Sequence, residues 1–279
     1  MDHSLASKLF LKQHANRSRF FVGQKKINQF LLDILEILYP HFNQNYIQSK
    51  DDFYVYLKKA ELMLLEVLHD FMTHKKARNI SSIFFDELSN IRDLLDLDAK
   101  AIFDGDPAAK NLDEVILCYP GFLAMAIHRI AHLFYKQNVI ILARMFSEYA
   151  HKITGIDIHP GATIGNSFCI DHGTGIVIGE TTLIGNHVKI YQGVTLGALS
   201  FKTRTKNKKR HPTISDNCVI YSNATILGGK TIIGKNSIVG GNVWLTKSVP
   251  DDSIVYHKSD ILLDENNDDD SKHEIYYEI

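Results

Sequence analysis

The apolar positions of this chain follow two different rules. Up to about residue 150 they recur at the three- and four-residue spacing of one helix face. Leu57, Ala60, Leu64, Val67 and Phe71 keep that spacing, and so do Phe84, Leu88, Ile91 and Leu95. Asp104-Gly105-Asp106-Pro107 breaks the second run. An aspartate followed by proline is an N-cap with a first-turn proline, so Asp106 predicts a helix from there to about Cys118. Pro120-Gly121 ends it, and another helix carries Phe122, Met125, Ala126, Arg129 and Leu133. A further helix is predicted over 139–150, and residues 1–50 also read as helical.

Beyond residue 150 the beat is six. Ile158, Ile164, Ile170 and Ile176 keep it; after a shift of two, so do Ile178, Ile184, Ile190 and Leu196. A third series runs Ile214, Ile220, Ile226, Ile232 and Ile238, with Trp244 next. Six matches neither the helical period nor the alternation of a plain strand. It fits a short strand plus a tight turn, three of which make a triangular coil of about 18 residues. Stacked coils bury each apolar beat in a column. Residues 156–250 supply roughly five such coils. An ordinary sandwich would need thirteen Ile or Leu residues to fall in phase by coincidence.

Glycine use marks the same division, since fourteen of the seventeen glycines lie between Gly155 and Gly241. The expected organisation is an α+β chain: a helical domain over 1–152, then a parallel β-helix over 153–250. The stretch 197–213 lacks the aliphatic beat and carries Lys202, Arg204, Lys206, Lys208, Lys209 and Arg210, so it reads as a basic loop. Residues 251–279 read as a flexible acidic tail, with Asp264, Glu265, Asp268, Asp269 and Asp270.

Composition then narrows the class. With 45% hydrophobic and 23% charged residues, the 279-residue chain is neither disordered, collagen-like nor a disulfide knot. A net charge of −1 gives no pull toward nucleic acid or an anionic membrane. No run approaches the ~18 apolar residues of a spanning helix. The first residues lack a basic segment followed by an apolar core, so no secretory signal is predicted. Cys118, Cys169 and Cys218 form no CxxC pair and leave an odd count, which fits a cytoplasmic setting.

The candidate chemistry lies in the six-beat half. His151, His159, His172, His187 and His211 accompany Asp157, Asp171 and Glu180. In an ideal coil His172 and Asp157 fall near neighbouring corners. A carboxylate on one ring nitrogen fixes the tautomer and leaves the other as a general base. A histidine in a turn also serves simply as a surface hydrogen-bonding group. Zinc held by His172, His187 and His211 is another reading. Zinc-binding carbonic anhydrases of this repeat type carry two ligands five residues apart, and these three lie farther apart, so no metal is expected.

Longer motifs add a family. Gly155-Ile-Asp-Ile-His-Pro-Gly-Ala162, Ile170-Asp-His-Gly-Thr-Gly-Ile-Val-Ile-Gly-Glu180, Val194-Thr-Leu-Gly197 and Arg210-His-Pro212 resemble serine O-acetyltransferase. So do Asp106-Pro-Ala108 and Tyr119-Pro-Gly-Phe-Leu-Ala-Met-Ala-Ile-His-Arg-Ile-Ala-His132 upstream. The resemblance covers about residues 95–250. It implies a left-handed β-helix and transfer of acetyl from acetyl-CoA to the L-serine hydroxyl, with no tightly bound cofactor. It makes His172 the base and Asp157 the carboxylate behind it. Arg210 and His211 would contact the substrate, and Asp106 and Asp171 would accept from its ammonium.

Acetyl-CoA would lie along the coils between neighbouring subunits, near Gly197, Ala198, Ser222, Gly240 and Gly241 and the loop lysines. The amide near Gly197-Ala198 is the candidate oxyanion donor. The resemblance further implies a homotrimer or hexamer, feedback inhibition by L-cysteine, and O-acetylserine sulfhydrylase as a partner bound through the final Ile279. The chain departs from the best-known bacterial members at Leu196-Gly-Ala-Leu199, where they read Leu-Gly-Gly-Thr, in its longer basic loop, and after Pro250, where it lacks Gly-Val-Pro-Ala. Two alternatives stay open: an acetyltransferase for a sugar or antibiotic hydroxyl, and a non-catalytic scaffold for the sulfhydrylase. Asp106 speaks against the first as an ammonium-binding carboxylate, although it also suits a helix cap. Asp171 also suits its turn, and Arg210 also suits solvent.

Overall fold

A computed structural model describes residues 3–15, 23–43, 47–199 and 208–258. Lys202, Arg204, Lys206, the acidic residues 264–270 and Ile279 lie outside the described residues. The described helices are α1 (His3–Ala15), α2 (Gln24–Leu38), α3 (Lys50–His69), α4 (His74–Gly105), α5 (Leu112–Cys118), α6 (Pro120–Lys136) and α7 (Ile140–Thr154). The predicted faces are the buried ones. Ala60, Leu64 and Val67 of α3 pack with Phe84, Leu88, Ile91 and Leu95 of α4, and with Phe30 and Phe146, in one core. No single described helix is long and apolar enough to cross a membrane.

The helix expected to start at Asp106 starts later. Asp106 instead caps the end of α4, its N–H bonded to the Ile102 carbonyl. A better start lies five residues on. Asn111 Oδ1 accepts from the Glu114 N–H at 2.8 Å, and Glu114 Oε2 reaches back to the Lys110 N–H at 2.8 Å. This reciprocal capping satisfies donors that Asp106-Pro107 would have left to one side chain. It releases the Asp106 carboxylate for other partners.

The six-beat half forms three parallel sheets, the faces of a triangular solenoid. Ile158, Ile178, Leu196, Ile226 and Leu245 are in register on the first face. Ile164, Ile184, Ile214 and Ile233 line the second. Ile170, Ile190, Ile220, Val239 and Val255 line the third. Leu196 and Ile214 thus occupy consecutive faces although the basic stretch separates them in sequence.

The expected inward placement of Ile232, Ile238 and Trp244 is not observed. Ile232 is 47% exposed and Trp244 68% exposed, while Ile233 and Val239 are buried. Gly228 is the cause. Its φ of +105° inserts one residue into the corner, and the inward beat moves on by one.

The two halves meet at the first coil. Ala124 and Met125 of α6 are buried in the solenoid core beside Phe168 and Ile170, so α6 closes the open end of the stack. Asp98 of α4 and Arg129 of α6 bind bidentately at 2.6 and 2.8 Å. The same guanidinium donates to the Gly165 carbonyl at 2.9 Å, and Asp98 accepts the Phe168 N–H at 3.0 Å. This buried pair therefore joins both helices to the first coil.

Histidines near the junction set an acid limit. Burial holds His128 well below the ordinary imidazole value and lowers His132; it brings His159 and His211 to about 4. Each stays neutral in the fold but takes a proton near 6.5 once unfolded. Stability should therefore be level above about pH 7 and fall steadily as pH drops from about 6.5 toward 4. Thermal midpoints across that range check this, and His128→Gln should flatten the slope between about pH 6.5 and 5, before carboxylates protonate. A midpoint unchanged down to pH 5 would refute it.

Candidate active site

The solenoid has three edges, and the expected residues collect on two of them. The first edge follows the third face. There His172 adopts φ +58°, a left-handed turn position, and its side chain is 70% exposed. Its Nε2 stands 3.6 Å from Asp171 Oδ1. Asp171 is only 12% exposed, and its Oδ2 meets Lys189 Nζ at 2.8 Å. Lys189 lies one coil above, where Cys169 pairs with Lys189 and Asp171 with Tyr191.

Asp106 joins this edge from the end of α4. Its carboxylate accepts from the Ala108 N–H at 2.8 Å and the Tyr119 hydroxyl at 2.6 Å. The bond from Tyr119, then that from Ala108, hold the Asp106 carboxyl below its usual value. The same bond pushes the Tyr119 hydroxyl up to about 12. Asp106 is therefore an ionised acceptor at neutral pH, in the electrostatic reach of both His172 and Lys189.

The second edge follows the first face. Arg210 pairs with Glu180 through Nη2 and Oε2, and Glu180 also accepts from the Tyr135 hydroxyl at 2.6 Å. Thr181 organises the neighbouring backbone. Its Oγ1 accepts the Arg210 N–H at 2.9 Å and the His211 N–H at 3.1 Å. The Thr181 N–H in turn donates to His211 Nδ1 at 3.0 Å. An Nδ1 that accepts a backbone N–H carries no proton, so neutral His211 bears its proton on Nε2. Burial first, and the Arg210 charge next, hold its pKa near 4 and keep this tautomer. The ring packs against Gly179, where a Cβ would stand 2.0 Å from the His211 Cδ2. His211 thus presents a fixed, uncharged N–H donor.

Asp157 begins the first face, half-buried and in register with Val177. Among the described residues no hydrogen bond or ion pair joins it to His172. The ideal coil underlay that expected contact. Here Ile158 pairs with Ile178, and the surplus residues lie in the corner after His172. Ser222, Gly240 and Gly241 stack above His172 on the first edge; a Cβ on Gly241 would lie 3.2 Å from the Ser222 carbonyl. Gly197 and Ala198 fall on the second edge, and the Gly197 carbonyl accepts from the Gly228 N–H at 3.0 Å. Lys209 binds the His211 carbonyl at 2.8 Å, so it braces this edge.

The three histidines weighed as zinc ligands sit on three different corners. Among the described residues no cluster of three or more histidine, cysteine or acidic side chains is placed to hold a metal. Sequence reasoning missed Lys189, Tyr119, Tyr135 and Thr181 as members of these edges, and noted Glu180 without a role. The signal for Lys189 was available, since it stands one coil beyond Asp171.

Helices closing a triangular parallel solenoid, with a histidine held out at its edge among carboxylates, define the hexapeptide-repeat acyltransferase architecture. No family model matches the chain. A plasmid-borne serine acetyltransferase of Synechococcus elongatus is 51% identical over 184 residues, covering 64% of this chain and 57% of that protein. The chain spans roughly half the length of the first curated relatives it matches. The crystal structure of Entamoeba histolytica serine acetyltransferase 1 in complex with L-cysteine is 35% identical, with a TM-score of 0.76, covering 81% of this chain and 86% of that one. The Neisseria gonorrhoeae serine acetyltransferase in complex with serine is 27% identical, with a TM-score of 0.60, covering 92% and 89%. The chain belongs to the serine acetyltransferase family.

Proposed function

We propose that this protein transfers the acetyl group of acetyl-CoA to the hydroxyl of L-serine, giving O-acetyl-L-serine and CoA. The observation that carries the reading is the first edge. A turn holds His172 outward beside Asp171, with the ionised Asp106 in its reach. His172 takes the serine hydroxyl proton as the oxygen attacks the thioester carbonyl. The tetrahedral intermediate collapses, the C–S bond breaks, and the imidazolium returns the proton to the leaving sulfur. Asp106 and Asp171 receive the serine ammonium, and Arg210 and His211 its carboxylate.

One chain holds these two groups on separate edges, with Asp157 on the face between them. We infer that the first edge of one copy meets the second edge of the next, which is the arrangement of a cyclic trimer. Acetyl-CoA then runs along the shared groove past Ser222, Gly240 and Gly241. L-Cysteine shares the ammonium and carboxylate of serine, so it occupies the same seat as an inhibitor. O-Acetylserine sulfhydrylase belongs to the same reading as a binding partner.

The test is CoA thiol release from acetyl-CoA with L-serine as acceptor, beside a panel of sugars and other hydroxyl compounds. Release that requires L-serine is the expected result. Release with a sugar but not serine would move the acceptor, and release with none would leave the scaffold reading.

A further inference from the structure

Lys189 is held in the way proteins hold a bound ammonium ion. Its Nζ meets a carboxylate oxygen of Asp171 at 2.8 Å and the Gly105 carbonyl at 2.6 Å. It stands over the Tyr191 ring, 4.5 Å from the centroid. An anion, a carbonyl and an aromatic face make a complete shell for a primary ammonium. The Lys189 side chain is 18% exposed and that of Asp171 12%, so solvent screens the pair only weakly. Tyr191 is itself fixed by stacking on Tyr221, with centroids 4.9 Å apart and planes 9° apart.

This seat is the one the proposed reaction requires for its acceptor. Asp171 and Asp106 are the carboxylates that would receive the ammonium of serine. One of the two oxygens of Asp171 is already taken by a cation of the chain, and the same cation acts on Asp106. An incoming ammonium must share this field with Lys189 or displace it.

We propose that Lys189 is an internal competitor for the ammonium group of the amino-acid acceptor, a positioning residue that weakens the site for serine and cysteine alike. The inference rests on the reaction proposed above. Removing the charge frees the Asp171 oxygen and leaves two carboxylates facing one ligand cation. Binding of an α-ammonium should tighten, and the change should fall on KM rather than on kcat.

Lys189→Met tests this. The KM for L-serine should fall about fivefold, the scale of one partly screened charge contact, and the inhibition constant of L-cysteine should fall with it. Lys189→Arg keeps the cation and should hold KM near the parent value. Lys189→Gln also removes the charge but keeps a polar end, and it should behave as the methionine variant does, which covers a failure of that variant to fold. In Lys189→Ala, added methylammonium should refill the seat and compete with serine, while the parent enzyme should not respond. An unchanged or raised serine KM in both the Met and Gln variants, with turnover intact, would overturn the proposal and leave Lys189 a strut between α4 and the solenoid. A parent enzyme that releases no CoA with serine would instead strike the proposed reaction.

Discussion

His172→Ala is expected to lower serine-dependent CoA release by about a thousandfold, within the range that general bases contribute. The residue is 70% exposed and sits in a turn, so the substitution removes no core contact. The fold should survive it. Circular dichroism and the thermal midpoint should match those of the parent, and only the rate should change. Alanine is tolerated less well than asparagine or glycine at φ +58°, so His172→Asn provides the conformational control. It should be equally inactive. A variant retaining a tenth or more of the parent rate would remove His172 from the role of base. Asp157→Asn adds a finer comparison. Asp157 shares no hydrogen bond or ion pair with His172 within one chain, so an unchanged rate would remove Asp157 from the proposed dyad.

The largest expected effect on stability lies elsewhere. Asp98→Ala should cost about 3–5 kcal/mol, because it leaves the Arg129 guanidinium buried without its anion. It also strips an acceptor from the Phe168 N–H. The loss should appear as a fall in the urea midpoint. Replacing both partners, Asp98→Leu with Arg129→Met, should recover much of it, since no charge is then stranded. A single variant within 1 kcal/mol of the parent would show that the pair contributes little. Activity should fall with the Asp98 change as well. The pair fixes α4 and α6 to the first coil, and that fixes the distance from Asp106 to Asp171.

These two residues show where the sequence could be read and where it could not. The six-residue beat located nearly every inward position, because each short strand must bury one apolar side chain per face. It failed at Ile232, Ile238 and Trp244, where one extra corner residue at Gly228 is indistinguishable from a turn of standard length. His172 and Asp171 stood out because the motif Ile170-Asp-His-Gly-Thr-Gly carries them between two beats. Asp106 was located, and only its reading as the start of the next helix failed. A local rule made it a helix cap, and the stronger reciprocal pair Asn111–Glu114 took that role. The Asp98–Arg129 pair was invisible, being 31 residues apart on two different helices. Only packing brings such partners together. Lys189 was legible in principle, because residues one coil apart are neighbours. Among other lysines nothing in its immediate sequence marked it.

The closure of the solenoid by α6 gives the molecule a direction. A stack of coils is held mainly by contacts between neighbours, so its opening can spread from an unprotected end. The first coil has no such end, with Met125 and Ala124 filling it and Arg129 tying it down. Among the described residues the last coil has no such cover, its inward Leu245, Val249 and Val255 being only partly buried. Fraying in an isolated chain therefore starts far from His172 and loses force with each coil it crosses. His172 therefore sits at the anchored end of the stack.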